Sequence, residues 1–190
     1  SIQLVEQRRI EAEVVQQKND TLLNVDAVNV NDTAAASMVA DAYGDFSVAA
    51  TGEEKFITLE NELIKLTIST KGGRIYSAML KDYKTHDSLP LVLFDAQETN
   101  FGFTLVTNNN RVVNTSNLYF ESVGGIKKDA EGNQQLAMRL KTTGEAYLDF
   151  VYTLPKKDYM LSFGMKANAM NTVMPAGTNF LEMQWLSKIR

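Results

Sequence analysis

The chain has 190 residues and no cysteine, with 19 basic and 23 acidic side chains for a net charge of −4. That length is enough for one domain with a sizeable core. The absent thiols exclude disulfides, thiolate catalysis and cysteine-ligated zinc or iron–sulfur sites, and a mildly acidic chain lacks the electrostatic footprint of a nucleic-acid binder.

Residues 2–18, IQLVEQRRIEAEVVQQK, are rich in helix formers and contain neither Gly nor Pro, so they read as an N-terminal helical segment. Its apolar stripe, Ile10 and Val14, is thin. Residues 19–52 lose any sustained period and read as a linker, with a short helix over Thr33 to Tyr43 stopped by Gly44. No run of about 18 apolar residues occurs anywhere in the chain.

From residue 53 onward the pattern is strand and turn. Ile64, Leu66 and Ile68 alternate with Lys65, Thr67 and Ser69, which is the period of a strand with one buried face. Lys71-Gly72-Gly73 interrupts the run, and paired glycines accept positive φ, so a tight reversal is expected there. Arg74 to Leu80 resumes the pattern and completes a β-hairpin. Residues 81–89 read as a polar loop, residues 91–94 and 101–107 as short strands. Gly124-Gly125 reads as a turn, and residues 128–133, KDAEGN, as a hairpin loop. Leu136, Met138 and Leu140 alternate with polar neighbours, as do Leu148, Phe150, Tyr152 and Leu154, then Leu161, Phe163 and Met165, and last Leu181, Met183 and Trp185. About ten short strands at regular spacing predict an all-β fold, an antiparallel β-sandwich. No βαβ rhythm argues for a parallel sheet.

Chemistry-bearing residues are sparse. His86 is the only histidine; it sits in a polar loop beside Asp87, which is poorly placed to orient the ring, so it reads as a loop residue without a catalytic role. One histidine and no cysteine do not make a metal site. Glu60, Glu62, Asp82, Asp95, Glu98, Asp149 and Glu182 are scattered, and Asp149 and Glu182 read as solvated strand faces. A glycosidase would need two of them facing across a cleft. Lys71-Gly72-Gly73-Arg74 lacks the spacing of a phosphate loop and leads into a strand, so it reads as a turn rather than an anion nest. Trp185, Met183 and Leu181 read as core, as do Phe150, Tyr152, Tyr159 and Phe163, with a sugar-stacking aromatic as the alternative. No catalytic residue, cofactor or metal site is assigned.

The hairpin LIKLTISTKGGRIYSAMLKDY resembles the start of the large periplasmic domain of the YidC family of membrane protein insertases. The residues that carry the likeness are Thr70, Gly72 and Gly73, then Leu80 and Tyr83. The run YLDFVYTLPKKDYML is similar to that family's paired strands around a Lys-x-x-Asp-Tyr turn, with Lys156 or Lys157, Asp158 and Tyr159 in the matching places. The likeness spans residues 53–190. It implies a β-supersandwich similar to galactose mutarotase, with the helical segment and linker joining it to a transmembrane helix. It further implies a non-enzymatic, chaperone-like domain on the periplasmic face of the bacterial inner membrane, in a multi-pass protein. The implied partners are Sec translocon accessory subunits and nascent membrane proteins. A carbohydrate-binding or mutarotase-like domain is the alternative that the fold likeness leaves open. The chain stops inside a strand-like pattern, so part of the supersandwich is expected to lie outside it, and an inner sheet face or a sheet edge is expected to be left open.

Overall fold

The computed structural model describes residues 33–95, 99–178 and 180–187. The expected helix over residues 2–18 and the candidate carboxylate Glu98 lie outside them. The chain divides into two compact units, Ser1–Ser37 and Met38–Arg190, and the second carries the fold.

Helix α1 (Thr33–Tyr43) ends at Gly44, whose φ is +56°. The left-handed residue stops the helix where the sequence places the stop, and the Arg111 side chain caps it by donating from Nε to the Asp41 carbonyl at 2.7 Å. A 3₁₀ turn over Gly44–Ala49 follows and sends Phe46 and Ala49 into the core.

Among the described residues eleven strands follow, all paired antiparallel. Sheet I holds β1 (Phe56–Glu60), β2 (Ile64–Ser69), β3 (Ile75–Lys84) and β4 (Pro90–Phe94) in sequential order. Sheet II holds β7 (Glu121–Lys128), β8 (Gln134–Lys141), β9 (Tyr147–Leu154) and β10 (Ser162–Asn168), also in sequence, so β7 and β10 are its edges. Sheet III is ordered β11-β5-β6, from β5 (Thr99–Val106), β6 (Val112–Asn114) and β11 (Glu182–Ser187). The architecture is the expected antiparallel, sandwich-like one.

Alternation explains the core. Leu136, Met138 and Leu140 on β8 and Leu148, Phe150, Tyr152 and Leu154 on β9 all point inward and are buried. From sheet III, Phe101 and Phe103 meet Phe150 with ring centroids at 6.3 and 5.4 Å. Phe120 lies 4.6 Å from Phe150. Edge-on and tilted contacts of this kind add to area burial, and the two sheets are held together through them.

The β2–β3 hairpin turns where expected. Gly72 and Gly73 have φ of +78° and +59°, and a Cβ on Gly73 would stand 2.8 Å from the Phe120 ring. Two other readings need correction. Residues 81–84 are not loop: β3 runs on to Lys84 and pairs with Pro90, leaving only a short reversal between them. Gly124-Gly125 is not a turn either. Both glycines have positive φ, but they form a bulge inside β7, where the register with β8 jumps between Ser122 and Ile126.

Candidate interaction surface

Among the described residues the candidate carboxylates do not gather into one site. Glu60 pairs with Lys81 at 3.1 Å across sheet I, and Glu182 sits on the exposed edge strand β11. Among the described residues no three His, Cys, Asp or Glu side chains come together as a metal site would require. His86 is 90% exposed at the β3–β4 reversal, and its Nε2 lies 3.0 Å from Asp87 Oδ1. The neighbour therefore does reach the ring, contrary to the sequence reading, but both groups are in solvent and nothing reactive stands beside them.

Asp149 corrects the reading of a solvated strand face. It is 7% exposed and accepts two hydrogen bonds from Arg139, Nε to Oδ1 at 2.7 Å and Nη2 to Oδ2 at 2.8 Å. The guanidinium lies 3.5 Å from the centroid of the Tyr147 ring. A bidentate pair stacked on an aromatic face is the geometry arginine favours, and the hydrogen bonds to Asp149 raise the Arg139 pKa further above its ordinary value. The strand register extends this pair into a row. Glu121 stands opposite Arg139, Arg139 opposite Asp149, and Asp149 opposite Lys166, so charge alternates in sign across all four strands on the outer face of sheet II.

The inner face is different. A trough of about 210 Å³ opens where the three sheets meet. Phe101, Met183 and Trp185 of sheet III line it opposite Tyr152 and Phe163 of sheet II, and Ile75 and Phe94 of sheet I close one side. No charged residue lines it, and the hydroxyl of Tyr152 is already engaged with the Gly73 carbonyl. Trp185 and Met183 were expected in the core. They face inward, in register with Phe101 and Phe103, yet they are 56% and 51% exposed. Phe163 likewise faces inward on β10 and touches Phe101 at 5.7 Å while staying 39% exposed. Tyr159, also read as core, is 38% exposed and contacts Tyr83 beside the β3–β4 arm.

Phe101 on β5 is covered by Phe163 of β10, the last strand of sheet II. Trp185 lies one strand further out in sheet III, on β11, and no strand of sheet II among the described residues reaches across it. Open apolar patches of this kind are a general feature of contact surfaces in proteins.

Fold and surface together define an antiparallel β-sandwich domain with an uncharged, aromatic-lined trough at its open side. Residues 56–186 match the family described as YidC periplasmic domain, and the chain belongs to that family, which places it on the periplasmic side of the bacterial inner membrane. It is 42% identical over 179 residues to the membrane protein insertase YidC of Parabacteroides distasonis, covering 94% of this chain and 28% of that protein. It is 36% identical to the insertase YidC of Azobacteroides pseudotrichonymphae, covering 80% and 24%. With that of Bacteroides fragilis it shares 35% identity, covering 93% and 27%. The chain thus spans about a quarter of the length of the curated relatives it matches. No solved structure matches it. No helix among the described residues is long and apolar enough to cross a membrane.

Proposed function

We propose that this domain is a non-enzymatic, chaperone-like interaction module of an inner-membrane insertase. It supports the insertion and folding of membrane proteins, alone or beside the Sec translocon, by contacting nascent membrane proteins and Sec accessory subunits. The observation that carries this reading is the trough, with Trp185 on the inward side of β11 and yet more than half exposed. Its relatives are named as membrane protein insertases, and the clients of an insertase are apolar polypeptides. The lining also favours this reading over a carbohydrate site: sugar recognition needs converging polar groups, and no carboxylate faces the aromatic wall.

The test places a photo-crosslinking side chain at Trp185 in the full-length protein, in cells making an arrested nascent membrane protein. Adducts to the nascent chain or to Sec accessory subunits are expected from Trp185. They should be weak from Val112, an exposed apolar residue on β6 that does not line the trough. Equal labelling from both positions, or none from Trp185, overturns the proposal.

A further inference from the structure

We infer that residues 155–160, the turn between β9 and β10, form a flap that opens and closes as one unit while the sheets stay folded. The side-chain amides of Asn61 and Asn133 are the clasps that hold it shut.

Burial does not hold this turn. Leu154 before it is fully buried and Leu161 after it packs against the core, so the chain is anchored on both sides. Between them Lys156, Lys157, Asp158, Tyr159 and Met160 are all exposed. The Tyr159 ring meets that of Tyr83 at 6.4 Å, but both rings stand at the surface. Segments with few buried apolar contacts open at lower free energy than the core of the same protein. What closes this one is a set of polar bonds from two other reversals.

Asn61, between β1 and β2, uses both ends of its amide. Its Oδ1 accepts from the backbone amides of Leu63 and Ile64 at 2.8 and 2.9 Å, which shapes its own turn. Its Nδ2 donates to the carbonyls of Pro155 and Asp158, both at 2.8 Å, which ties sheet I to the far turn of sheet II. A side-chain amide has two donor hydrogens and two acceptor lone pairs, so every one of these is engaged. Asn133, in the β7–β8 reversal, does likewise: its Oδ1 accepts from the Lys156 amide at 3.1 Å, and its Nδ2 donates to Asp129 at 2.8 Å. The flap backbone is thus gripped at residues 155, 156 and 158 by side chains that belong to other turns. Such bonds are individually modest, so the clasps release without unfolding the sheets.

Hydrogen exchange of the 190-residue chain, read at single amides, tests this. The reporters are the Lys156 amide, bonded to Asn133, and the Met160 amide, bonded to the Asp158 carboxylate at 3.0 Å. In the parent both should exchange at least about tenfold faster, after correction for intrinsic rates, than the paired amides of β8. Asn61→Asp separates the two roles of that residue: a carboxylate still accepts from Leu63 and Ile64 but has no hydrogen for Pro155 and Asp158. It should raise exchange at Lys156 and Met160 together, by roughly three- to tenfold. Leu63 and Ile64 should stay within about twofold of the parent, and β8 should be unchanged. Asn133→Ala, which removes the other clasp, should raise both reporters by similar factors, although the Met160 amide bonds to Asp158 and not to Asn133. Three results overturn the flap: Met160 unaffected in either variant, parent reporters as slow as β8, or an equal rise at β8 in both variants, which would mean that the turn opens only when the whole domain unfolds.

Discussion

The hydroxyl of Tyr152 donates a 2.5 Å hydrogen bond to the backbone carbonyl of Gly73, joining the central strand β9 to the glycine turn between β2 and β3. The phenol is 1% exposed, and burial pushes its pKa far up, which favours the protonated, donating form. Tyr152→Phe keeps the ring and strands the carbonyl. It should lower unfolding free energy by about 1–3 kcal/mol, as expected for a buried acceptor left without its donor, measured by urea titration.

The acceptor side of the same contact has its own constraint. Gly73 combines positive φ with a ring where a methyl group would go, whereas Gly72 has positive φ and looser surroundings. Gly73→Ala should therefore cost more than Gly72→Ala, with the latter near 1 kcal/mol. Equal thermal shifts for the two variants would contradict the packing against Phe120.

Arg139 and Asp149 should behave as a unit. Removing either partner leaves a largely buried charge or a set of unmet donors, and each single alanine variant should lose roughly 2–4 kcal/mol. The double variant should lose less than the sum, by about 1 kcal/mol or more in a double-mutant cycle. Additive losses would mean the pair is not coupled.

Asp129 holds the β7–β8 reversal. Its carboxylate accepts from the backbone of Glu131 and Asn133 and from the Asn133 side chain. The hydrogen bond from the Asn133 side chain, with the backbone bonds, lowers its pKa below the ordinary 3.8. A depressed folded-state pKa stabilises the fold above the unfolded value, and that contribution is lost as pH falls through the folded value. Asp129→Ala should consequently flatten the acid limb of the stability curve below about pH 4 and leave its neutral limb parallel to that of the parent. An unchanged acid limb in denaturant titrations at pH 2–5 would contradict this.

His86→Ala should change stability by less than about 0.5 kcal/mol, as expected for an exposed residue away from caps and core. In the full-length insertase it should support growth of a depleted strain as the parent does. A growth defect with normal protein levels would show that the β3–β4 reversal has a role of its own.

Where alternation reports burial on one face, the sequence was readable. The inner faces of β8 and β9 and the Gly72-Gly73 reversal were legible because each is a local pattern with one physical cause. Asp149 was not: its burial follows from Arg139 and Tyr147 lying across from it, and strand pairing is absent from a linear pattern. Gly124-Gly125 looked like Gly72-Gly73 because positive φ serves a bulge as well as a turn, and only the partner strand distinguishes them. Residues 81–84 were missed because a two-stranded arm with both faces wet carries no apolar period. Trp185, Met183 and Phe163 were assigned the right face but the wrong exposure, since alternation says which side points inward and not whether another layer covers it.

The two ends of sheet II are unlike. Consecutive left-handed glycines at 124 and 125 break the register of β7, and such a kinked border resists a newcomer. The opposite border, β10, is regular along its length. The doubled glycine is in effect a terminator: by kinking β7 out of register it blunts that border against edge-to-edge accretion.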